Sequence, residues 1–173
     1  MTDILLIQPP IRDFYLTAKR TIPYGLALMA AVLRADGFDV RILDAFSRTK
    51  SRRLAIPDEL TYLEPYYGKT DRSPFALFQY YQHFGYGFDY IGMEAAKSGA
   101  FIVGISASFT AYHDTALATA EAVKKKHPQC RIVMGGHHAT ALPHALMVSP
   151  AVDFVIRGEG ETAIGQLAQA LKN

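Results

Sequence analysis

Short apolar segments that do not alternate with polar residues recur along the 173-residue chain, and they constrain its fold more than any other feature. The clearest covers positions 4–7, and further predicted strands lie at 38–43, 101–105, 131–134 and 152–156. Short runs without alternation are typical of strands buried on both faces, as in a parallel sheet. The chain is long enough to bury a substantial core around such a sheet.

Segments with helical periodicity separate the predicted strands. They cover positions 26–36, 88–98, 112–127, 141–148 and 161–172. In the first of them, Leu26, Ala30 and Leu33 recur on one face, which is the apolar stripe of a helix that packs on a core. Strands that alternate with helices predict a doubly wound α/β domain, in which the strand–helix–strand connections are right-handed.

Positions 46–86 interrupt this alternation. The segment begins with a basic cluster of Arg48, Lys50, Arg52 and Arg53, and nine aromatic residues follow between positions 62 and 86. An irregular connection of this length is unusual inside a compact domain. We therefore expect an aromatic-rich insertion, which either forms a local core or covers a surface for a neighbouring domain. Within it we predict a helix at 74–82 and a surface position for His83.

Composition excludes several classes of protein. Half of the residues are hydrophobic and a fifth are charged, which is globular composition. The single cysteine, Cys130, excludes an intramolecular disulfide and an iron–sulfur cluster held by thiolates of this chain. A net charge of +2 gives no indication of nucleic acid binding. No long apolar run predicts a membrane span, and the chain does not start like a signal peptide, so we expect a cytoplasmic protein.

Small and polar residues follow three of the predicted strands. These strand ends carry Ser106 and Ser108, then Gly135 and Gly136, then Gly158. In open parallel sheets ligands bind beyond the carboxyl ends of the strands. Glycine allows a ligand to approach the backbone closely, and serine hydroxyls add donors and acceptors. The glycine fingerprint of dinucleotide binding and the phosphate-binding loop are both absent from the segment after the first strand.

The remaining polar residues do not predict catalysis or a metal centre. His113, His137, His138 and His144 lack a carboxylate or cysteine at ligand spacing, so we predict no metal site. No nucleophile partners Glu159 in the sequence pattern, and we expect this chain alone not to be catalytic. Cys130 comes just before a predicted strand, which indicates a buried thiol.

Several motifs resemble a known family. They are ILLIQPP at 4–10, PYGLAL at 23–28, FGYGF at 84–88, VGIS at 103–106, VMGGHHAT at 133–140 and DFVIRGEGE at 153–161. In their order and spacing they resemble the N-terminal cobalamin (vitamin B12)-binding domain of cobalamin-dependent radical S-adenosylmethionine enzymes. The resemblance covers nearly the whole chain except positions 46–80.

The resemblance implies a flavodoxin-like, Rossmann-like sheet of five parallel strands in the order 2-1-3-4-5, with helices on both faces. It implies that cobalamin lies at the carboxyl edge of that sheet. The implied cofactor-binding residues are Pro9, Pro10, Ser106, Ser108, Phe109, Gly135, Gly136, His137, Gly158 and Glu159. Related cobalamin domains carry the motif D-x-H-x-x-G, whose histidine binds cobalt. That motif is absent here, which implies binding without this histidine ligand.

The same resemblance implies a single cobalamin-binding domain over 1–173 that is a fragment of a larger methyltransferase or related enzyme. S-adenosylmethionine and a [4Fe–4S] cluster are then expected only in a linked or docking radical domain. We expect no nucleic acid or membrane partner. Two alternatives stay open at this point: a flavodoxin-like domain that binds a nucleotide or flavin, and a domain whose aromatic insertion docks another protein.

Overall fold

The computed structural model describes residues 2–15, 22–48, 50–63, 65 and 78–172 of the chain. The described strands are β1 (Ile4–Gln8), β2 (Ile11–Tyr15), β3 (Val40–Asp44), β4 (Ser51–Arg53), β5 (Phe78–Phe84), β6 (Ile102–Ser106), β7 (Arg131–Gly135) and β8 (Phe154–Val155). The described α-helices are α1 (Tyr24–Ala35), α2 (Phe88–Ser98), α3 (His113–Lys126), α4 (His137–Ala141), α5 (Pro143–Met147) and α6 (Glu161–Lys172).

Five of these strands form a parallel sheet in the order β3-β1-β6-β7-β8. Numbered within this sheet alone, the strands read 2-1-3-4-5. The labels of the whole chain differ from that series because β2, β4 and β5 belong to another sheet. The predicted α/β fold with a five-stranded parallel sheet is confirmed. Strand order reverses between β1 and β6, so the switch point lies near the middle of the sheet.

Alternate residues of the parallel strands contribute to two separate cores. Leu5 and Val103 belong to one core, which includes residues of α2, α3, α4 and α5. Ile4, Ile102 and Val133 belong to the other, which includes residues of α1 and α6. Because helices cover both faces, consecutive strand positions are apolar and buried, and this explains the absence of alternation in the sequence.

Strands β2, β5 and β4 form a second sheet, which is antiparallel and has β5 at its centre. The rings of Phe14 and Tyr81 lie 5.1 Å apart on it, and the Arg53 guanidinium lies 3.4 Å from the centroid of the Tyr80 ring. The segment 46–86 therefore contributes strands to a small sheet. We refer to it below as the second sheet.

The predicted helix at 74–82 is wrong over 78–82, where β5 runs; its first part, 74–77, lies outside the described residues. Positions 78–84 carry aromatic residues that suit a strand. Pairing with β2 and β4 stabilises a strand here instead of the predicted helix. The predicted surface position of His83 is also wrong, because only 5% of this residue is exposed.

One glycine joins the two sheets. Gly85 has φ +110°, and a Cβ atom built on it would lie 2.3 Å from the Ala45 carbonyl oxygen. The next residue, Tyr86, donates its N–H to that same carbonyl at 2.7 Å, and Ala45 donates to the Gln8 carbonyl at 3.0 Å. The end of β5 is thereby held against the carboxyl ends of β1 and β3, and only glycine fits this approach.

The predicted helix at 141–148 forms instead as parts of two short helices, α4 and α5. Pro143 is the first residue of α5, a position that proline favours because its missing N–H is not needed there. Among the described residues, no helix combines the length and the apolar character needed to cross a membrane.

Candidate functional site

The carboxyl ends of the parallel strands lie along one edge of the sheet, and most of the predicted site residues lie there. Ser106 and Gly135 end β6 and β7 and are neighbours in register. Gly136 leads into α4, and Gly158 lies between β8 and α6. The fold thus brings residues of three strand ends to a single edge, and their role in binding stays a prediction.

The predicted residues differ in how much they are exposed. Phe109, His137 and Glu159 are exposed, and 67% of Phe109 is accessible to solvent. Pro9 and Pro10 are buried where the chain passes from β1 to β2. A large exposed aromatic ring at a strand end is a surface for an apolar ligand, whereas the two buried prolines shape the edge from beneath.

Two turns pack closely at the middle of this edge. Ala107 donates its N–H to the Gly135 carbonyl at 2.7 Å, and His138 donates to the Ala107 carbonyl at 3.0 Å. Gly136 has φ +122°, and a Cβ atom there would lie 2.8 Å from the Ala107 oxygen. A Cβ atom on Gly135, by contrast, would meet no atom within 4 Å. Gly136 is therefore required by the fold, while Gly135 leaves open space at the strand end.

Thr140 ties the turns after β7 and β8 together. Its Oγ1 donates to the Gly136 carbonyl at 3.0 Å and accepts the Gly158 N–H at 2.9 Å. At the same edge, the hydroxyl groups of Ser106 and Ser108 share a hydrogen bond with an Oγ–Oγ distance of 3.0 Å. Thr140 lies in the motif at 133–140, but the sequence predicts no role for it, because its partner lies 18 residues away.

His138 supports the loop after β6 from inside the protein. Only 2% of it is exposed, its Nδ1 lies 3.1 Å from Thr110 Oγ1, and its ring lies 5.1 Å from that of His113. Among the described residues, its buried Nε2 has no hydrogen-bond partner. Burial, and then the neighbouring His113, lower the pKa of His138, so the neutral imidazole is favoured at this position.

Tyr112 links the parallel sheet to the second sheet. Its hydroxyl, at the start of α3, donates to Asp13 Oδ2 on β2, 99 residues earlier in the chain. Asp13 Oδ1 also accepts the N–H of Phe14 at 2.6 Å. The bond fixes the loop that carries Phe109, and a contact over such a distance leaves no local signal in the sequence.

The described residues contain no group of three or more His, Cys, Asp or Glu side chains that could hold a metal ion. Cys130 is 1% exposed, which confirms the predicted buried thiol. Burial raises the pKa of this thiol to about 11, so the reactive thiolate is disfavoured.

A groove of about 570 Å³ lies away from the strand ends, between α1 and α6. Val32, Asp36, Thr162 and Gln166 are among the residues that line it. Gly165 leaves room for the Asp36 carboxylate, because a Cβ atom there would lie 2.5 Å from Asp36 Oδ2. None of the predicted site residues lines this groove. We place the candidate site at the carboxyl edge because ligands of open parallel sheets bind there and because the predicted glycines and serines lie there.

Comparison with known proteins identifies relatives along nearly the whole chain. A cytidylyl-2-hydroxyethylphosphonate methyltransferase of Streptomyces wedmorensis is 30% identical over 159 residues, which cover 91% of this chain and 26% of the relative. An uncharacterized methyltransferase of Pyrococcus horikoshii is 29% identical over 174 residues, which cover 97% of this chain and 29% of the relative. The chain therefore spans between a quarter and a third of these curated relatives.

The family model of the B12 binding domain matches residues 82–168. The match covers half of the chain, from the end of β5 to α6, and includes the turns after β6, β7 and β8. These turns carry the glycines and serines of the candidate site. The chain therefore belongs to the B12 binding domain family, and its cofactor is cobalamin, as the sequence motifs predicted.

Proposed function

We propose that this chain is the cobalamin-binding module of a longer radical S-adenosylmethionine methyltransferase. The observation that carries the proposal is the B12 binding domain match across the turns that form the carboxyl edge. The relatives named above are methyltransferases and are three to four times longer than the matched part, which supports a module within a larger enzyme. The reducing cytoplasm is the compartment that suits such chemistry and the single buried thiol of Cys130.

The residues of the carboxyl edge fit a large ligand that carries amide groups. Space is open above Gly135, the hydroxyls of Ser106 and Ser108 lie together, and the aromatic ring of Phe109 is exposed. When bound, cobalamin supplies a cobalt centre that accepts and delivers a methyl group, and the protein supplies binding and position. The turn held by Gly136 keeps these groups in a fixed arrangement before the ligand arrives.

We also propose that no histidine of this chain binds the cobalt. The segment that would carry such a residue, 8–13, contains no histidine. His138 is buried beneath the edge, and His83 lies on the second sheet with its Nε2 bonded to the Tyr86 carbonyl. His137 is the exposed histidine of the edge, and it is the residue whose replacement tests this part of the proposal.

Incubation of the purified chain with hydroxocobalamin, followed by gel filtration and a visible spectrum, tests the function. We expect the corrin absorbance to elute with the protein. The spectrum is expected to be that of base-off cobalamin and to stay unchanged in His137→Gln and His83→Gln variants. Protein that elutes without corrin absorbance contradicts the binding function, and a spectrum altered by either replacement contradicts the absence of a histidine ligand.

Two substitutions test whether the cofactor binds at the carboxyl edge. Gly135→Val introduces side-chain atoms into the open space and is expected to abolish retention while leaving thermal unfolding unchanged. Ser106→Leu removes one hydroxyl of the serine pair and is expected to have the same effect. Retention at the level of the unmodified chain in both variants would show that cobalamin binds elsewhere.

Equilibrium dialysis with labelled S-adenosylmethionine tests the division of roles in which this chain binds cobalamin and a separate radical domain binds S-adenosylmethionine. We expect no binding by this chain, because its single cysteine cannot hold the [4Fe–4S] cluster of a radical domain. Saturable binding would place the S-adenosylmethionine site within this chain and contradict that division.

A further inference from the structure

The second sheet carries three basic side chains in a row on one face. Arg12 on β2 and Arg52 on β4 are both direct cross-strand neighbours of His83 on β5. Side chains at directly paired positions of an antiparallel sheet point to the same face. The charges of Arg12 and Arg52 therefore flank the His83 imidazole, and both would repel a positive charge on it. We call these three residues the basic row.

No carboxylate of the described residues forms an ion pair with the basic row. The ion pairs of the described chain engage Arg41, Lys97, Lys124, Lys126 and Arg131 instead. The Nε atom of Arg12 is buried and has no hydrogen-bond acceptor among the described residues. A buried donor without an acceptor costs free energy, so the site is incomplete as the described chain presents it.

His83 contributes a second buried polar atom to the same place. Only 5% of the residue is exposed. Its Nε2 lies 2.9 Å from the Tyr86 carbonyl, which can only accept, so Nε2 carries the hydrogen. Nδ1 is therefore an acceptor; it is buried, has no partner among the described residues, and can accept the hydroxyl hydrogen of a ligand such as hydrogen phosphate. Burial lowers the pKa of His83, and the charges of Arg12 and Arg52 act in the same direction.

The start of α2 adds positive potential beside the row. Phe88 is the first residue of this helix, and no side chain caps its N-terminus. The Arg12 guanidinium lies 5.1 Å from the Phe88 ring centroid, and the His83 ring meets it edge-on at 5.5 Å. Asp89, in the first turn, forms an ion pair with Lys126 at 3.0 Å. The Arg12 guanidinium, the His83 imidazole and a helix N-terminus therefore lie close together, and Arg52 neighbours His83 on the same face of the sheet.

We propose that the basic row binds an oxyanion of the phosphate or phosphonate class next to the cobalamin edge. Arginine recognises such groups through paired N–H donors, and the negative charge of the oxyanion complements the guanidinium groups. The row lies beside the edge because Arg12 follows β1 by four residues and His83 precedes the Gly85 contact with Ala45. Assigning the oxyanion to a methyl acceptor rests on the proposed function; the site itself does not.

Titration of the cobalamin-free chain with inorganic phosphate, by calorimetry and by the ¹⁵N signals of the His83 ring, tests the site. We expect saturable binding with a shift of the His83 signals. Arg52→Gln is expected to weaken it about tenfold, the loss of one charge-assisted interaction of about 1.4 kcal/mol. Arg52 is exposed, so this variant should fold, and Arg12→Gln should act in the same way.

Arg53 offers a matched control. It neighbours Arg52 on β4, points to the opposite face and lies 3.4 Å from the Tyr80 ring centroid. Arg53→Gln removes the same charge and is expected to leave phosphate affinity within about twofold, since an exposed charge outside the row is screened. Equal losses in Arg52→Gln and Arg53→Gln, or no saturable binding by the unmodified chain, would overturn the site.

A second pair of measurements identifies the source of the oxyanion. Cobalamin carries a phosphate in its nucleotide tail, and cobinamide lacks it. If Arg52→Gln weakens retention of cobalamin and not of cobinamide, the row binds the tail phosphate. If phosphate affinity falls while both corrinoids are retained equally, the row binds a phosphoryl or phosphonyl group of another ligand. Both results support the site. The phosphate titration uses the cobalamin-free chain, so its outcome does not depend on whether the chain retains cobalamin.

Discussion

The two sheets of this protein differ in how fully their strands are covered. In the parallel sheet Leu5, Ile102 and Ile132 are fully buried, and the strands are covered on both faces. The second sheet also buries the rings of Phe14, Tyr81 and Phe84, but all three residues of its edge strand β4 are exposed. Burial of apolar area stabilises both sheets, and the second sheet adds contacts of exposed or charged groups that charge and pH can change.

The largest expected effect is a cavity in the parallel sheet. Ile102→Ala removes a fully buried side chain and should lower the free energy of unfolding by about 3 kcal/mol. Tyr80→Ala, on the second sheet, removes a 38% exposed ring and its contact with Arg53, and should cost about 1 kcal/mol. Urea unfolding followed by far-UV circular dichroism measures both. Equal losses would contradict the contrast between the sheets.

A smaller and more local effect is expected where the sheets meet. Gly85→Ala places a methyl group against the Ala45 carbonyl at a backbone angle that favours glycine, with a cost of about 1–3 kcal/mol. Hydrogen exchange should become faster in β5 and stay unchanged in β6 and β7. Gly87→Ala is the matched control, because a Cβ atom there meets nothing within 4 Å. Faster exchange in both sheets would show that they unfold as one unit.

The second sheet should respond to mild acid. The pKa of His83 is lowered, first by burial and then by Arg12 and Arg52, so the unfolded state binds the proton more readily than the folded state. The stabilisation is therefore present above about pH 6.5, the ordinary pKa of histidine, and is lost as the pH falls below that value.

The parallel sheet should resist acid to a lower pH. Burial alone would raise the pKa of Asp153, but the Ile132 N–H at 2.7 Å, Lys124 and Arg131 together hold it below its usual range. The stabilisation that this carboxylate provides is present above about pH 3.9 and is lost as the pH falls through the lower pKa of the folded state.

Amide NMR signals recorded from pH 7.5 to pH 3 compare the two sheets directly. Signals of β5 should change as the pH falls below about 6.5, and those of β7 should keep their positions until about pH 4. His138 also has a lowered pKa, so the variant His83→Gln identifies the effect of the second sheet. Simultaneous changes in both sheets, or an unchanged β5 profile in His83→Gln, would contradict the assignment.

The parallel sheet could be predicted from sequence because its strands are covered on both faces. That burial requires consecutive apolar residues, as at 4–7 and 131–134, and a short window of sequence records it. The second sheet could not, because β2 pairs with a strand about 70 residues later and the partner decides its structure. The buried position of His83 depends in the same way on Arg12 and Phe88, which come from other elements.

The candidate site also contains features that local sequence predicts and features that it does not. Its glycines and serines were predicted, because they follow the strands directly and topology brings strand ends together. Thr140 and the Tyr112–Asp13 contact were missed, because each depends on a partner that only the folded chain supplies. Local chemistry was therefore predictable, and its support by distant residues was not.

Hydrogen exchange with and without hydroxocobalamin tests the central claim, that cobalamin binds at the carboxyl edge of the parallel sheet. We predict slower exchange in the turns at 106–110, 135–140 and 157–160. The loops at the opposite edge, 36–39 and 127–130, should exchange at unchanged rates. Protection that is absent from the three turns, or equal at both edges, would contradict the account.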